Sequence, residues 1–313
     1  MILTVASGCD NVAWGGVDMQ LVPPPAAEPG TPAEAAPPEE EVAPPPEVAQ
    51  PLLLAGTRDD ANATLVLVGE LRDGAVVPAP ATSIDTGVTE GSEWILLAEG
   101  VRVGRMTAET IGPAEGFCPA TLAVSGTVEI VPSAAAVERF IALPATEVAG
   151  VSYEPFRVHE NDYDQRVASL TFAQEAIPRL GADWPEGGVL PTRQDLQAFQ
   201  PTGTGSPTLA GSYVYRDTPS VGDPANGAYA LFILAERRGG QFRETFEWYS
   251  AADSLGKSVP RYFGHFDLDQ DGRGEVILDV FGSERRWHAV LEQTNDGWTR
   301  SFVSPCGIGS PAR

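Results

Sequence analysis

The sequence predicts a mainly β chain with minor helix, its strands arranged in antiparallel sheets. Three observations carry this. Short runs rich in β-branched, leucine and aromatic residues recur from Leu52 to Val303. Turn sequences separate several of them: Arg72-Asp73-Gly74, Arg237-Arg238-Gly239-Gly240 and Asn295-Asp296-Gly297. Residues that tolerate φ > 0 between two apolar runs favour hairpins, which pair neighbouring strands antiparallel. Helix signals, by contrast, appear in two places only.

In chain order, TLVLVGE (Thr64–Glu70) leads into the first of these turns, and EWILLAEGVRVGRM holds two apolar runs about Gly100. TLAVSGTVEIV (Thr121–Val131) follows Cys118. Asp164 is placed to cap QRVASLTFAQEAI, with Val167, Leu170 and Ile177 on one face and Pro178 as the stop. Thr192 with Asp195 opens RQDLQAF as a second, weaker helix start. YALFILAE and QFRETFEWY flank the Arg-Arg-Gly-Gly turn. Alternation puts Phe242, Phe246 and Trp248 on one side of the second arm, and Arg243, Thr245 and Glu247 on the other. RRWHAVLEQ and GWTRSFV flank Asn295-Asp296-Gly297. There is no internal period of a solenoid or repeat array.

Charge excludes whole classes of partner. The chain carries 43 acidic against 20 basic side chains, a formal net charge of -23, and Lys257 is its single lysine. Nucleic-acid binding needs Lys and Arg to displace counterions, so no nucleic-acid partner is expected. Docking on anionic lipid headgroups through charge is disfavoured for the same reason. No run reaches the length of a membrane-spanning helix.

Residues from Leu21 to Pro51 are dense in Pro, Ala and Glu and contain no aromatic or basic residue. Such a segment cannot bury enough apolar surface to offset the entropy of ordering. Extended at about 3.1 Å per residue, it would hold a domain up to roughly 90 Å from its anchor. Trp14, before Gly15 and Gly16, fits either docking on the domain or the lipid interface.

The stretch Val5-Ala6-Ser7-Gly8-Cys9 precedes this tether. It resembles the end of a bacterial lipoprotein signal, in which small residues lead to a cysteine that receives lipid and becomes the mature N-terminus. The resemblance implies lipidation at Cys9, a membrane partner through that lipid, and an extracytoplasmic place in the cell envelope, facing the periplasm or on the cell surface. The apolar stretch before Cys9 is shorter than an export signal and lacks a basic n-region, so residues 1–9 read as its remnant. Residues 10–51 then form the stalk. Residues 52–307 form the globular domain, with room for two subdomains dividing near 150–200, and 308–313 form a tail. With Cys9 set aside, Cys118 and Cys306 remain, either a disulfide of an exported protein or two buried thiols; the disulfide is the expectation.

The densest chemistry lies in FDLDQDGRGEVIL, Phe266 to Leu278. Asp267, Asp269 and Asp271 alternate, Gly272 permits a reversal, and Glu275 follows. Alternate side chains of a curling loop converge, and four carboxylates this close repel unless a hard cation takes their oxygens. The loop begins like an EF-hand, but the twelfth place is Leu278, where that motif carries a bidentate Glu. The sequence that follows is strand-like. It resembles the calcium loops of FG-GAP and integrin-type repeats, where D-x-D-x-D-G-x-x-D/E leads into a strand. That resemblance implies Ca²⁺ held by Asp267, Asp269, Asp271, Glu275 and the Arg273 carbonyl. A propeller needs several blades, each with its own sequence unit, and one such loop is present, so a full propeller is not expected.

Catalytic motifs are absent: there is no G-x-S-x-G, H-E-x-x-H or P-loop. His159, Glu160, Asp162 and Asp164 could ligate a transition metal, but acids before a helix serve more often as caps. The expected function is therefore a calcium-stabilised, lipid-anchored envelope protein that binds or supports rather than catalyses. Its partners would be a glycan or another envelope protein. A carbohydrate-binding module with stacking aromatics is the first alternative, and a secreted hydrolase built from distant carboxylates is the second.

Overall fold

The computed structural model describes residues 51–79, 86–119, 121–145, 147–148, 156–202, 205–253, 256–295 and 297–307. They belong to one compact unit. The fold is mainly β with a single long helix among the described residues, and its strand pairings are antiparallel. No propeller is formed among the described residues.

The first half is a barrel. Its strands are β1 (Leu52–Asp59), β2 (Asn62–Arg72), β3 (Ala75–Val77), β4 (Glu93–Ala98), β5 (Val101–Pro113), β6 (Leu122–Ile130) and β7 (Arg139–Pro144). Six of them close a ring in the order β1-β7-β4-β5-β6-β2, with β2 returning to β1, while β3 extends β2 at one end. Closure removes the exposed edges that would otherwise pair with other chains. Leu52, Leu54, Leu65, Trp94, Leu96 and Phe140 fill the interior. Leu53, Ala55, Ile95, Leu97, Ile141 and Leu143 alternate with them and face outward, yet are also buried. That is why Leu52–Ala55 and Trp94–Leu97 read as continuous apolar runs. Burying each such large side chain contributes roughly 1.5–3 kcal/mol.

The outer wall is covered by a four-stranded sheet: β12 (Val259–Phe266), β13 (Glu275–Phe281), β14 (Arg286–Thr294) and β15 (Gly297–Val303). Phe263, Phe266, Ile277, Val290 and Phe302 of this sheet pack on the barrel. Its other face packs on a second four-stranded sheet: β8 (Arg193–Phe199), β9 (Thr208–Tyr215), β10 (Tyr229–Arg238) and β11 (Gln241–Ala251). Phe199, Phe232, Trp248, Tyr262, Leu278 and Trp298 meet between the two. Helix α1 (Tyr163–Arg179) closes the far side, with Ala173, Ala176 and Ile177 against Tyr213, Leu231 and Ile233. The layers therefore run barrel, sheet, sheet, helix.

The hairpin turns follow their sequences. Gly239 and Gly240 take φ 60 and 83 between Arg238 and Gln241, the two left-handed positions of a type I′ turn. Thr294 faces Gly297 across the β14–β15 turn.

Three local expectations are corrected. RQDLQAF is strand β8, not a helix: its ladder to β9 outweighs a weak capping pattern, and Thr192 instead ends a 3-10 turn begun at Leu190. The helix is capped by Asp162 rather than Asp164, through a reciprocal box with Gln165, and Pro178 sits inside its last turn. It buries Ser169, Ala173 and Ala176 as well as Ile177, while Val167 is exposed. Phe242 does not share a side with Phe246 and Trp248. Pairing skips between Leu234 and Ala235, and the bulge at Thr245 reverses the alternation. Phe242 therefore packs toward the helix while Phe246 and Trp248 face the other sheet.

Cys118 and Cys306 lie at disulfide distance, with Cα–Cα 5.6 Å across a sequence separation of 188 residues. The bridge ties the loop after β5 to the end of the last sheet. Constraining so long a loop in the unfolded chain is worth at most about 5 kcal/mol in entropy. Replacing both cysteines with serine should lower the urea midpoint without changing the fold seen by circular dichroism. An unchanged midpoint would show that the bridge does not constrain the unfolded state.

Candidate metal centre

The acidic loop spans the turn from β12 to β13. Phe266 pairs with Glu275, so the loop hangs from a closed ladder, with Asp267 and Glu275 at its neck. Inside it, carboxylates cap backbone amides in sequence. Asp267 Oδ2 accepts from Gly272 N at 2.9 Å, Asp269 Oδ1 from Asp271 N at 3.0 Å, and Asp271 Oδ1 from Arg273 N at 2.8 Å. Gly272 takes φ 88, a left-handed conformation that favours glycine, and Gln270 takes φ 61.

Asp267, Asp269 and Glu275 each present a carboxylate oxygen, and the three oxygens lie within 4.8 Å of one another. This group can hold a metal ion. Asp269 is exposed, Asp267 half-buried and Glu275 buried. Asp271, exposed on the rim, is not part of that group. Cys9 lies outside the described residues.

Two features fit a cation. Asp267 Oδ1 is buried and has no hydrogen-bond partner among the described residues. Glu275 is 7% exposed, and Leu268 N donates to its Oε2 at 2.7 Å. Burial pushes the Glu275 carboxyl up to about 8, and the neighbouring charges of Asp269 and Asp267 add to this. Burial likewise raises Asp267. A partly buried oxygen cluster of this kind is costly when ionised alone and is relieved by an opposite charge at its centre.

The loop is wedged between other parts of the domain. A Cβ on Gly74, in the β2–β3 turn of the barrel, would lie 2.3 Å from Asp269 Cβ. On another side, Gly274 N donates to Pro201 O at 2.6 Å, in the β8–β9 connection. The barrel and the second sheet therefore both touch the loop.

A second cluster on β13 had no signal in the sequence beyond one acid inside an apolar strand. Asp279 is fully buried, with Arg261 Nη2 at 3.0 Å, Arg286 Nε at 3.0 Å and His288 Nε2 at 3.5 Å. Arg286 also lies over the Phe117 and Phe281 rings. Burial alone would raise the Asp279 carboxyl, but the hydrogen bond from His288 and the Arg286 guanidinium outweigh it and hold the group well below the usual carboxylate range. Its native form is thus ionised, with the two guanidinium groups as its counter-charges and with both arginines and His288 as hydrogen-bond donors. This cluster is structural: all four partners face one another rather than a cavity.

Removing a buried charge from its partners is strongly destabilising. Asp279→Asn should cost about 3 kcal/mol near neutral pH, at the low end for such pairs because both guanidinium groups reach solvent. The sign of its pH dependence follows from the depressed native value. The contribution is full above the ordinary carboxylate pKa, about 3.9, and is lost as the pH falls toward the native one. Urea unfolding of both proteins should therefore converge in acid; a gap that is constant down to strong acid would contradict it.

Compared with protein-family models, with curated proteins and with solved structures, the chain matches none, so its functional reading rests on the residues themselves.

Proposed function

We propose that this chain is an exported, lipid-anchored envelope protein whose β domain is stabilised by calcium and acts without catalysis, in a binding or structural role. One observation carries the calcium reading: three converging carboxylates, one with a buried and unpartnered oxygen, at a loop wedged against the barrel. Ca²⁺ takes six to eight oxygens at about 2.3–2.6 Å. Asp267, Asp269 and Glu275 supply the core of the set; Asp271 from the rim and the Arg273 carbonyl complete it. With most of its sphere taken by protein oxygens, the ion would fasten the seam of the domain rather than activate water or substrate. The disulfide-distance cysteines support an oxidising compartment. The lipid on Cys9 and the Pro-rich segment at 10–51 would present the domain away from the membrane.

The sugar-stacking alternative draws no support from the strand tryptophans, since Trp94, Trp248, Trp287 and Trp298 are all buried.

Calcium binding to the native state adds RT ln(1 + [L]/Kd), about 2.7 kcal/mol at a hundredfold excess over Kd. Metal-stripped protein should melt lower than calcium-loaded protein, with magnesium restoring less because it dehydrates reluctantly and requires a tighter octahedron. Asp267→Asn should flatten the calcium response. Identical melting with and without calcium would sink the reading.

The anchor is tested separately. Expressed with an export signal, the protein should enter the detergent phase, and Cys9→Ser should move it to the aqueous phase. Partitioning that is unchanged by the substitution would remove the lipid from the account.

A further inference from the structure

Away from the acidic loop, a cavity of 240 Å³ opens where the barrel, β8, β12 and the segment before α1 meet. Ile141, Phe156 and Phe263 line it with apolar surface, and Glu99, Glu138 and Arg139 bring charge to it.

Glu99 is the unusual residue. It occupies the first position of the two-residue turn between Ala98 and Val101, at φ 49. The same position in two other barrel hairpins holds Asp60 and Asp73, each at φ 52. Asp is favoured in left-handed backbone because its short side chain bonds the local backbone, an advantage Glu lacks. The longer acid instead reaches the wall of the cavity. There its Oε2 is buried with no hydrogen-bond partner among the described residues. His265 Nδ1 lies 3.8 Å away but is already engaged by the Tyr262 hydroxyl at 2.7 Å. Burial pushes the Glu99 carboxyl up to about 7, against the pull of Arg139 and Tyr262.

Arg139 is largely committed elsewhere. Its Nη1 donates to the Tyr262 carbonyl at 2.9 Å, and its guanidinium lies 6.0 Å from the Phe263 ring. That ring enters the wall at a β-bulge, where pairing skips between Tyr262 and Gly264. Bulges of this kind re-aim a side chain and recur beside functional sites. The acids Glu99 and Glu138 thus outnumber the one cation at the cavity, and the chain as a whole is strongly acidic.

We propose that this cavity binds a small organic cation, a primary amine with a compact apolar body, its ammonium on Glu99 and its body against Ile141, Phe156 and Phe263. An ammonium would give Glu99 Oε2 a direct hydrogen bond and add its charge to that of Arg139, and aromatic walls favour a cation and its apolar stem together.

The test is calorimetric titration of the full chain with benzylamine, benzyl alcohol and benzoate, three probes of one shape, at a pH above the Glu99 value. Benzylamine should bind saturably, with the other two weaker by about tenfold or more, the worth of a hydrogen bond to a charged group. Glu99→Gln, nearly isosteric, should erase that preference. Should the variant fail to fold, nuclear Overhauser contacts from the benzylamine ring to Phe156 and Phe263 in the unaltered protein decide the matter. Absence of saturable binding, equal affinity for the three probes, or contacts located elsewhere would overturn the proposal.

Discussion

Strand β13 has no solvent face: all seven of its residues are buried. Val276, Leu278 and Val280 point into the space between the two sheets, while Ile277 packs on the outside of the barrel. At the centre of a sheet whose strands all divide their side chains between the same two cores, this strand helps join the barrel core to the sandwich core, and the layered architecture depends on that sheet. A strand buried on both faces is normally apolar throughout. Two acids nevertheless occupy β13, Glu275 and Asp279, and they alternate onto the same side as Ile277. Each must find compensation locally, because burial leaves Asp279 no contact with water and Glu275 very little. Asp279 finds it in two guanidinium groups and an imidazole. Glu275 finds one backbone amide and, in the proposed reading, a cation.

That constraint organises the charge of the whole protein. The chain has few bases, and several are spent on buried acids: Arg261 and Arg286 on Asp279, and the sole lysine, Lys257, on Asp217 at 2.8 Å with both side chains buried. Bases held inside do not offset the acidic exterior. An exterior of that sign attracts cations, which suits both the acidic loop and the proposed amine site at Glu99. Both sites sit at seams. The metal loop lies where the barrel hairpin, β12–β13 and the β8–β9 connection converge; the Glu99 cavity lies where the β4–β5 turn meets β12 and β8. At seams the chain leaves regular pairing, so polar groups and irregular backbone concentrate there.

Helix α1 shows the same economy in a less charged setting. Its packing face sets the small residues Ser169, Ala173 and Ala176 between Gln165 and Ile177, and the Ser169 and Tyr213 hydroxyls bond each other across the interface. Arg179 at its last turn reaches Glu244 at 3.1 Å and Glu247 at 2.8 Å on β11. Those pairs are largely solvent-facing and orient the helix more than they stabilise it.

What the sequence alone determined is local. Class, hairpins and the acidic loop were legible because each is written within about a dozen residues: alternating apolar runs, glycine and aspartate turns, carboxylates spaced two apart. The same locality misled where a distant strand intervened. RQDLQAF carries a passable helix start, but β9 offers a full ladder of hydrogen bonds; the Thr245 bulge, invisible in the alternation, sends Phe242 to the other side. Barrel closure, the sheet covering it, the four-residue cluster at Asp279 and the cavity at Glu99 were decided only by the tertiary structure. Their partners come from elements far apart in the chain, and what selects them is complementary burial and charge, which no local period encodes. Asp279 illustrates the limit: in the sequence it is one acid in an apolar strand, and only packing brings Arg261, Arg286 and His288 to the place where its charge must be met.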